Sequence, residues 1–148
     1  MMTQELFSPY KALMKRAKAP ADKALALVLE RKYEELQRLR REFRELIAKN
    51  RERREGKKPR LSKSQKGFLV NANRDAVEAS AEVERQFNEI PGVRAMIKMA
   101  MMMEKDDLRF TKAVYETFHP DNKPMAERIQ ALQGSMIEDM ENFLGKPE

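Results

Sequence analysis

The chain has 148 residues, of which 36% are charged, and it carries a net charge of +6. This length favours a single domain, which we expect to cover residues 1–148. The absence of cysteine excludes disulfides, thiolate metal ligands and cysteine nucleophiles. No apolar run approaches the ~20 residues that a membrane-spanning helix needs, and the N-terminus lacks the pattern of a signal peptide. We therefore expect a cytoplasmic protein with no membrane partner.

Amino-acid usage predicts the fold class, and the charge distribution predicts a type of partner. Ala, Leu, Met, Glu, Lys and Arg are abundant, glycine is sparse and tryptophan is absent, which predicts an all-α fold. Residues 1–74 hold 21 Lys and Arg against 9 Asp and Glu, whereas residues 75–148 hold 9 against 15. We expect a basic part, residues 1–90, followed by an acidic, Met-rich helical body, residues 91–148. A basic surface favours a polyanionic partner, most often nucleic acid.

Two helices are predicted in the first third of the chain. Ser8 and Pro9 have the residue types of an N-cap and a first helical position, so a short helix is expected within Met1–Lys18. A long helix is predicted over about 20–55, because Leu and Phe recur at the spacings of three and four that place them along one side. The members of this seam are Leu25, Leu29, Leu36, Leu39, Phe43 and Leu46, and Lys32 interrupts it.

A second long helix is predicted over about 63–89. Gly56 and Pro59 are suited to end the first long helix, and Ser62 with Gln65 has the spacing of a capping box. We expect the two long helices to form an antiparallel hairpin. The seam of the second helix is only weakly apolar, which favours burial against a second copy and hence a homodimer, with a monomeric hairpin as the alternative.

A compact group of three shorter helices is predicted after the break at Ile90–Gly92. The first covers Val93–Met103, which is apolar nearly all round and is therefore expected to be buried on most sides. The second is expected to begin at Asp106 or Asp107, with Phe110 facing inward, and to continue through residue 118.

The last of these helices is predicted to follow the turn His119–Pro124. Its apolar stripe consists of Ile129, Leu132, Met136, Met140 and Phe143. Gly145 is expected to end it.

The stretch Arg38–Lys66 has the highest density of positive charge, with thirteen Lys and Arg against four Asp and Glu. A phosphate backbone favours such a surface, since each neutralised phosphate releases counterions. Phe43 belongs to the apolar seam, so we expect backbone contacts with weak sequence specificity, to DNA in preference to RNA. The candidate nucleic-acid-binding residues are Arg38, Arg41, Arg44, Lys49, Arg51, Arg53, Arg54, Lys57, Lys58, Arg60, Lys63 and Lys66.

Two of these patterns also have purely structural explanations. Pairs such as Arg38 with Glu42 stabilise any exposed helix by a few tenths of a kcal/mol each, so the basic stretch can also be a solvated face. The five methionines between Met96 and Met103 favour a core or an oligomer interface over a promiscuous binding groove.

The only histidine is His119, and Pro120 and Asp121 follow it. A His-Pro-Asp turn between helices resembles the signature of the J-domain co-chaperones, and Phe87–Val93 is similar to the opening helix of that family. The resemblance implies an Hsp70 partner that the turn engages. Judged from its residues alone, the segment is also consistent with a proline turn in which Asp121 or Asn122 caps the next helix.

The sequence contains no recognisable catalytic set. With one histidine and no cysteine the usual nucleophile–base pairs are missing, and neither a Gly-rich phosphate loop nor metal-ligand spacing is present. We predict a non-enzymatic protein without cofactor or metal, which binds nucleic acid and supports a nucleoprotein assembly. The alternative is a protein–protein adaptor or assembly factor whose hairpin and Met-rich body receive a helical partner, and a J-domain-like co-chaperone is a third alternative.

Overall fold

The computed structural model describes residues 7–55, 78, 80–118 and 122–146, with side chains for 7–49, 78, 80–113 and 122–146. These residues form helices and contain no strand, so the all-α prediction is confirmed for them. In chain order, we label the helices α1 (Pro9–Arg16), α2 (Pro20–Glu55), α3 (80–89), α4 (Val93–Phe118) and α5 (Lys123–Leu144).

Helix α1 begins and ends where local chemistry predicts. The Ser8 hydroxyl oxygen accepts a hydrogen bond from the backbone N–H of Lys11 at 3.4 Å, and Pro9 occupies the first helical position. At the other end, the N–H of Ala17 donates to the carbonyl of Leu13 at 2.8 Å. The short N-terminal helix is therefore confirmed.

Helix α2 is a single rod of 36 residues, which corresponds to about 54 Å. Its seam faces the core: Leu29, Leu36, Leu39 and Phe43 are all buried. Lys32 interrupts this seam without exposing it, because its ammonium group donates to Ser135 at 2.7 Å and pairs with Asp139 on α5.

The expected hairpin between residues 20–55 and 63–89 is only partly described. Helix α2 packs against α1 and α5, and residues 56–77 lie outside the described part of the chain. Helix α3 is attached to the segment before α1: the ring of Phe7 lies 5.8 Å from that of Phe87, and the Phe7 N–H donates to Ser80 at 2.9 Å. The pairing of the two long helices therefore stays a prediction.

The prediction of three short helices after Gly92 is wrong, because α4 is continuous from Val93 to Phe118. The expected start at Asp106 or Asp107 does not occur. The segment around these two residues holds neither proline nor glycine, so nothing breaks the backbone. The side chain of Asp107 bonds Gln133 and Arg40 on other helices. The break at residues 90–92 and the last helix, closed at Gly145, are confirmed.

One core joins all five helices. The first two helices supply as much of it as the last two, so the helical body is completed by α1 and by the N-terminal two-thirds of α2. Its fully or nearly fully buried members include Tyr10, Leu13, Leu29, Leu36, Phe43, Phe87, Met96, Ile97, Ile129, Met136 and Met140.

Candidate nucleic-acid interface

The side of α2 that faces away from the core carries the first candidate residues. Arg38, Arg41, Arg44 and Lys49 are all exposed there. They lie on this side because the apolar seam, whose last buried member is Phe43, packs the opposite side of α2 against α1 and α5. The structure thus places these four predicted residues on one outward surface.

Arg38 is neutralised within its own helix. Its guanidinium donates to Glu35 through Nε at 2.9 Å and also pairs with Glu42. The hydrogen bond to Glu35 raises the pKa of Arg38, and the same bond lowers the pKa of Glu35. Arg38 therefore behaves as the structural alternative predicted, as part of a solvated run of ion pairs.

Two other cations of α2 are neutralised by the acidic half of the chain. Arg40 pairs with Asp107 on α4, and Lys32 pairs with Asp139 on α5. Both lie toward the packed side of α2. The carboxylates of α4 and α5 therefore neutralise cations along the inner edge of α2.

Arg41 and Arg44 have no ion-pair partner within the part of the chain whose side chains are described. Both are exposed, and the nearby exposed carboxylate of Glu45 is not within ion-pair distance of either. They contribute uncompensated positive charge to the described outer face. Lys49 is likewise exposed on the next turn.

The helix continues beyond its anchored part. Phe43 is the last buried residue of α2 and Ile47 is half-buried, yet the helical backbone runs on to Glu55. The backbones of three more candidates, Arg51, Arg53 and Arg54, lie on this last part of α2. The remaining candidates lie outside the described residues: Lys57, Lys58, Arg60, Lys63 and Lys66.

A buried polar network that we did not predict lies on the inner side of the same helix. The hydroxyl of Tyr10 donates to Glu104 at 2.7 Å, and the amide nitrogen of Gln133 donates to Glu104 at 2.7 Å and to Asp107 at 2.8 Å. Asp107 also accepts from Arg40. Burial is the main cause that raises the pKa of Tyr10, and the nearby charge of Glu104 raises it further. The network joins α1, α2, α4 and α5.

The sequence contained a signal for this network. Gln133 falls on the same three-and-four spacing as Ile129, Met136 and Met140, which marks it as a core position occupied by an amide. Gln133 is fully buried, and its amide oxygen has no hydrogen-bond partner in the described part of the chain. A polar residue on an apolar rhythm predicts a buried partner.

The remaining sequence features have mixed outcomes. In the methionine cluster, Met96 is buried and Met99, Met101 and Met103 are half-buried against the core, as the core interpretation predicts, whereas Met102 is 63% exposed. The turn at His119–Asp121 lies outside the described residues, so the J-domain resemblance stays a prediction.

Two kinds of feature are absent from the described residues. None of their helices combines the length and apolar character that crossing a bilayer requires. No group of three or more His, Cys, Asp or Glu side chains is placed there to hold a metal ion.

Comparison of the chain with protein-family models, with curated proteins and with solved structures found no match.

Proposed function

We propose that this protein is a non-enzymatic nucleic-acid-binding protein that contacts phosphates through the outer face and the far end of α2 and supports a nucleoprotein assembly. The observation that carries the proposal is the separation of charge across this helix. Lys32 and Arg40 are neutralised by Asp139 and Asp107, whereas Arg41 and Arg44 remain uncompensated among the described side chains.

The continuity of α2 supports the same proposal. The helix is fixed in the core through Leu36 and Phe43 and extends to Glu55, so its arginines start from a rigid support. A phosphate backbone presents regularly spaced negative charge, and binding several cations to it releases counterions. A pre-ordered row of guanidinium groups loses less conformational entropy on binding than the same groups on a flexible tail.

The character of the surface favours contacts to the backbone over contacts to bases. Phe43, the aromatic residue of the basic stretch, is 1% exposed and belongs to the core. It therefore offers no platform for base stacking. We propose weak sequence specificity and DNA in preference to RNA as the ligand.

The decisive experiment measures binding to a random-sequence DNA duplex by fluorescence anisotropy at several salt concentrations. We expect the affinity to fall steeply between about 50 and 200 mM salt. The double variant Arg41→Gln/Arg44→Gln should bind more weakly and should lower the slope of log affinity against log salt by about 0.9 for each phosphate that it no longer neutralises. A variant with Arg51, Arg53, Arg54, Lys57 and Lys58 changed to Gln should lose more affinity still.

A matched control separates a defined surface from net charge. Lys15→Gln/Lys18→Gln removes two exposed cations from the end of α1 and the loop after it, and we expect it to bind as the unchanged protein does. Equal losses in the two double variants would show that only total charge matters. Unchanged binding after substitution of both the Arg41/Arg44 pair and the distal five residues would overturn the proposal.

The second candidate is a protein–protein adaptor whose basic helix meets an acidic protein. The burial of Phe43 favours it as well, because a surface without a base-stacking aromatic can accept any row of carboxylates or phosphates. The two candidates separate in a capture experiment. A partner protein that stays bound after nuclease treatment and is lost with Arg41→Gln/Arg44→Gln supports the adaptor, and loss of all partners on nuclease treatment supports the nucleic-acid-binding protein.

A further inference from the structure

One arginine beside the candidate interface is bound by an acid from another helix. The guanidinium of Arg40 on α2 donates to a carboxylate oxygen of Asp107 on α4, and the two groups form an ion pair. The side chain of Arg40 is 24% exposed, so it reaches the surface at the edge of the packed side. Arg40 is not among the candidate nucleic-acid-binding residues that the sequence predicted.

Arg40 is a neighbour of the two arginines that have no ion-pair partner among the described side chains. Residues three or four apart on a helix lie next to each other, with about 5–6 Å between their Cβ atoms. Arg44 is four residues from Arg40 and three from Arg41, and all of them lie within the continuous helix α2. The three guanidinium groups therefore form one cluster, which begins at the inner edge of α2 and ends on its outer face.

The carboxylate of Asp107 is held in position by a second contact. Its Oδ2 atom accepts from Arg40 and also from the amide nitrogen of Gln133 on α5, the latter at 2.8 Å. Because Gln133 is fully buried, it fixes the carboxylate against the core. Asp107 is thus an acceptor that is already placed for Arg40, and no side-chain entropy is lost when the pair forms again.

The other neutralised cations of α2 lack this combination. Lys32 pairs with Asp139 on α5, but it lies about two turns before Arg40, and no Lys or Arg is three or four positions away from it. Arg38 is a neighbour of Arg41, but its acids belong to α2 itself. Among the described side chains, Arg40 is therefore the one cation that borders the unpaired arginines and is neutralised from a different helix.

We propose that Arg40 is a further phosphate ligand of this surface and that Asp107 prevents it from binding phosphate through an autoinhibitory contact. The inference rests on the proposed function, because it concerns the same surface. A carboxylate and a phosphate compete for the same guanidinium, since both accept its paired N–H groups. A phosphate that approaches Arg44 therefore finds the guanidinium of Arg40 occupied and is repelled by the charge of Asp107.

The competition favours Asp107 because it is intramolecular. Asp107 is held beside Arg40 by the fold, at an effective concentration that a nucleic acid in solution does not reach. The affinity of the surface is thereby kept below the value that three arginines would give. Since Asp107 belongs to α4 and Arg40 to α2, the contact makes nucleic-acid affinity depend on how these two helices pack.

Removing the charge of Asp107 tests the proposal. Asp107→Asn keeps the shape of the side chain and an oxygen that can accept from Gln133, and circular dichroism would confirm its fold. We expect its affinity for a random-sequence DNA duplex to rise about three- to tenfold at about 100 mM salt. The slope of log affinity against log salt should steepen by about 0.9, which corresponds to one additional phosphate. The slope is the decisive measurement, because it counts the neutralised phosphates.

Asp106→Asn is the matched control, since it removes the same charge one position away. Asp106 is exposed and forms no ion pair within the part of the chain whose side chains are described. Its replacement should raise the affinity less than about twofold and leave the slope unchanged, because a screened surface charge acts weakly. Equal changes in the two variants would show that net charge is the cause and would overturn the inference.

Replacing Arg40 gives a test that does not depend on the folding of Asp107→Asn. In the unchanged protein, Arg40→Gln should leave the slope as it is, whereas Arg41→Gln should lower it by about 0.9. Combined with Asp107→Asn, Arg40→Gln should abolish the gain in affinity and in slope. A lower slope for Arg40→Gln alone, or a gain that persists in the combined variant, would overturn the inference.

The failure of this inference is distinguishable from the failure of the proposed function. If the unchanged protein binds no duplex, both are wrong. If it binds through Arg41 and Arg44 while Asp107→Asn and Asp106→Asn behave alike, the surface is correct and only the inhibitory role of Asp107 is wrong.

Discussion

Tyr10 donates its hydroxyl hydrogen to the carboxyl group of Glu104 at 2.7 Å, although 94 positions separate the two residues in the chain. The bond fixes α1 to α4, and both side chains are buried. Glu104 also accepts a hydrogen bond from Gln133, which donates in addition to Asp107, and Asp107 accepts from Arg40. The bond between Tyr10 and Glu104 is therefore the inner end of a chain of polar contacts that crosses the core. Such a bond contributes to stability because a buried acceptor without a donor is costly.

The first prediction concerns the loss of this hydroxyl group. Tyr10→Phe keeps the ring, whose centroid lies 5.3 Å from that of Tyr33 in an edge-on contact. It removes only the donor to Glu104. We expect the free energy of unfolding to fall by about 1.5–3 kcal/mol, the usual contribution of a hydrogen bond to a charged group. Urea unfolding at neutral pH measures it. An unchanged midpoint would show that the bond does not stabilise the fold.

The second prediction concerns alkaline pH. Burial raises the pKa of Tyr10, and burial likewise raises the pKa of Tyr33. The folded protein therefore keeps protons that the unfolded chain releases near pH 10. Because the folded state binds more protons, the free energy of unfolding should be constant below that value and fall as the pH rises above it.

Comparing variants isolates the tyrosine contribution from that of the lysines, which titrate in the same range. Unfolding of the unchanged protein and of Tyr10→Phe would be measured between about pH 8 and 11. The stability of Tyr10→Phe should decline less steeply. Parallel declines would contradict the assignment of the effect to Tyr10.

The third prediction concerns Gln133, whose amide nitrogen donates to two carboxylates. Gln133→Glu preserves shape but places a third carboxylate beside Glu104 and Asp107. Like charges repel strongly at this distance. We expect Gln133→Glu to be much less stable than the unchanged protein at pH 8 and to regain stability at about pH 4–5, where carboxylates begin to be protonated.

Gln133→Met is the matched control. It removes the donor and also the amide oxygen that lacks a partner among the described residues. Its loss of stability should be about 1–3 kcal/mol and should not recover at acid pH relative to the unchanged protein. The same pH dependence in both variants would show that repulsion at this site is not the cause.

The fourth prediction compares two phenylalanines. Phe87 is 1% exposed and Phe110 is 69% exposed. Phe87→Ala should lower the free energy of unfolding by about 3–5 kcal/mol, because it leaves a cavity where α3 meets Phe7. Phe110→Ala should change it by less than about 0.5 kcal/mol, because the side chain is already exposed. Equal effects would contradict the described burial.

The local rules of helix boundaries predicted the N-terminal part well. Ser8 and Pro9 act through the nearest few peptide groups, which the sequence shows directly. The seam through Leu36 and Phe43 was equally visible, since a helix that buries one side must repeat its apolar residues at that spacing.

The course of α4 was not predictable by the same rules. Asp106 and Asp107 have the residue type of a helix cap, but a cap forms only where the backbone has already left the helix, and neither proline nor glycine enforces that here. Phe110 was expected inside because apolar residues are normally buried. Phe110 is 69% exposed, so this expectation is wrong, and residue type alone does not show which side of α4 meets the core.

The candidate interface also combines features that local sequence rules predict with features that depend on long-range packing. The exposure of Arg41 and Arg44 follows from their position opposite the seam, so the sequence predicted it. The neutralisation of Arg40 and Lys32 depends on how α4 and α5 lie across α2. The spacing of residues along the sequence does not show these packing angles. Such pairings between distant segments become visible only in the folded chain.

The polar chain from Arg40 through Asp107, Gln133 and Glu104 to Tyr10 has an evolutionary consequence. Each member hydrogen-bonds its neighbour, and a single replacement among the buried members Tyr10, Glu104 and Gln133 leaves a buried group without a partner, while a joint replacement by apolar residues of similar shape does not. Relatives of this chain should therefore keep these positions together or exchange them together. Covariation among these five alignment columns would trace the meeting of four helices without any coordinates.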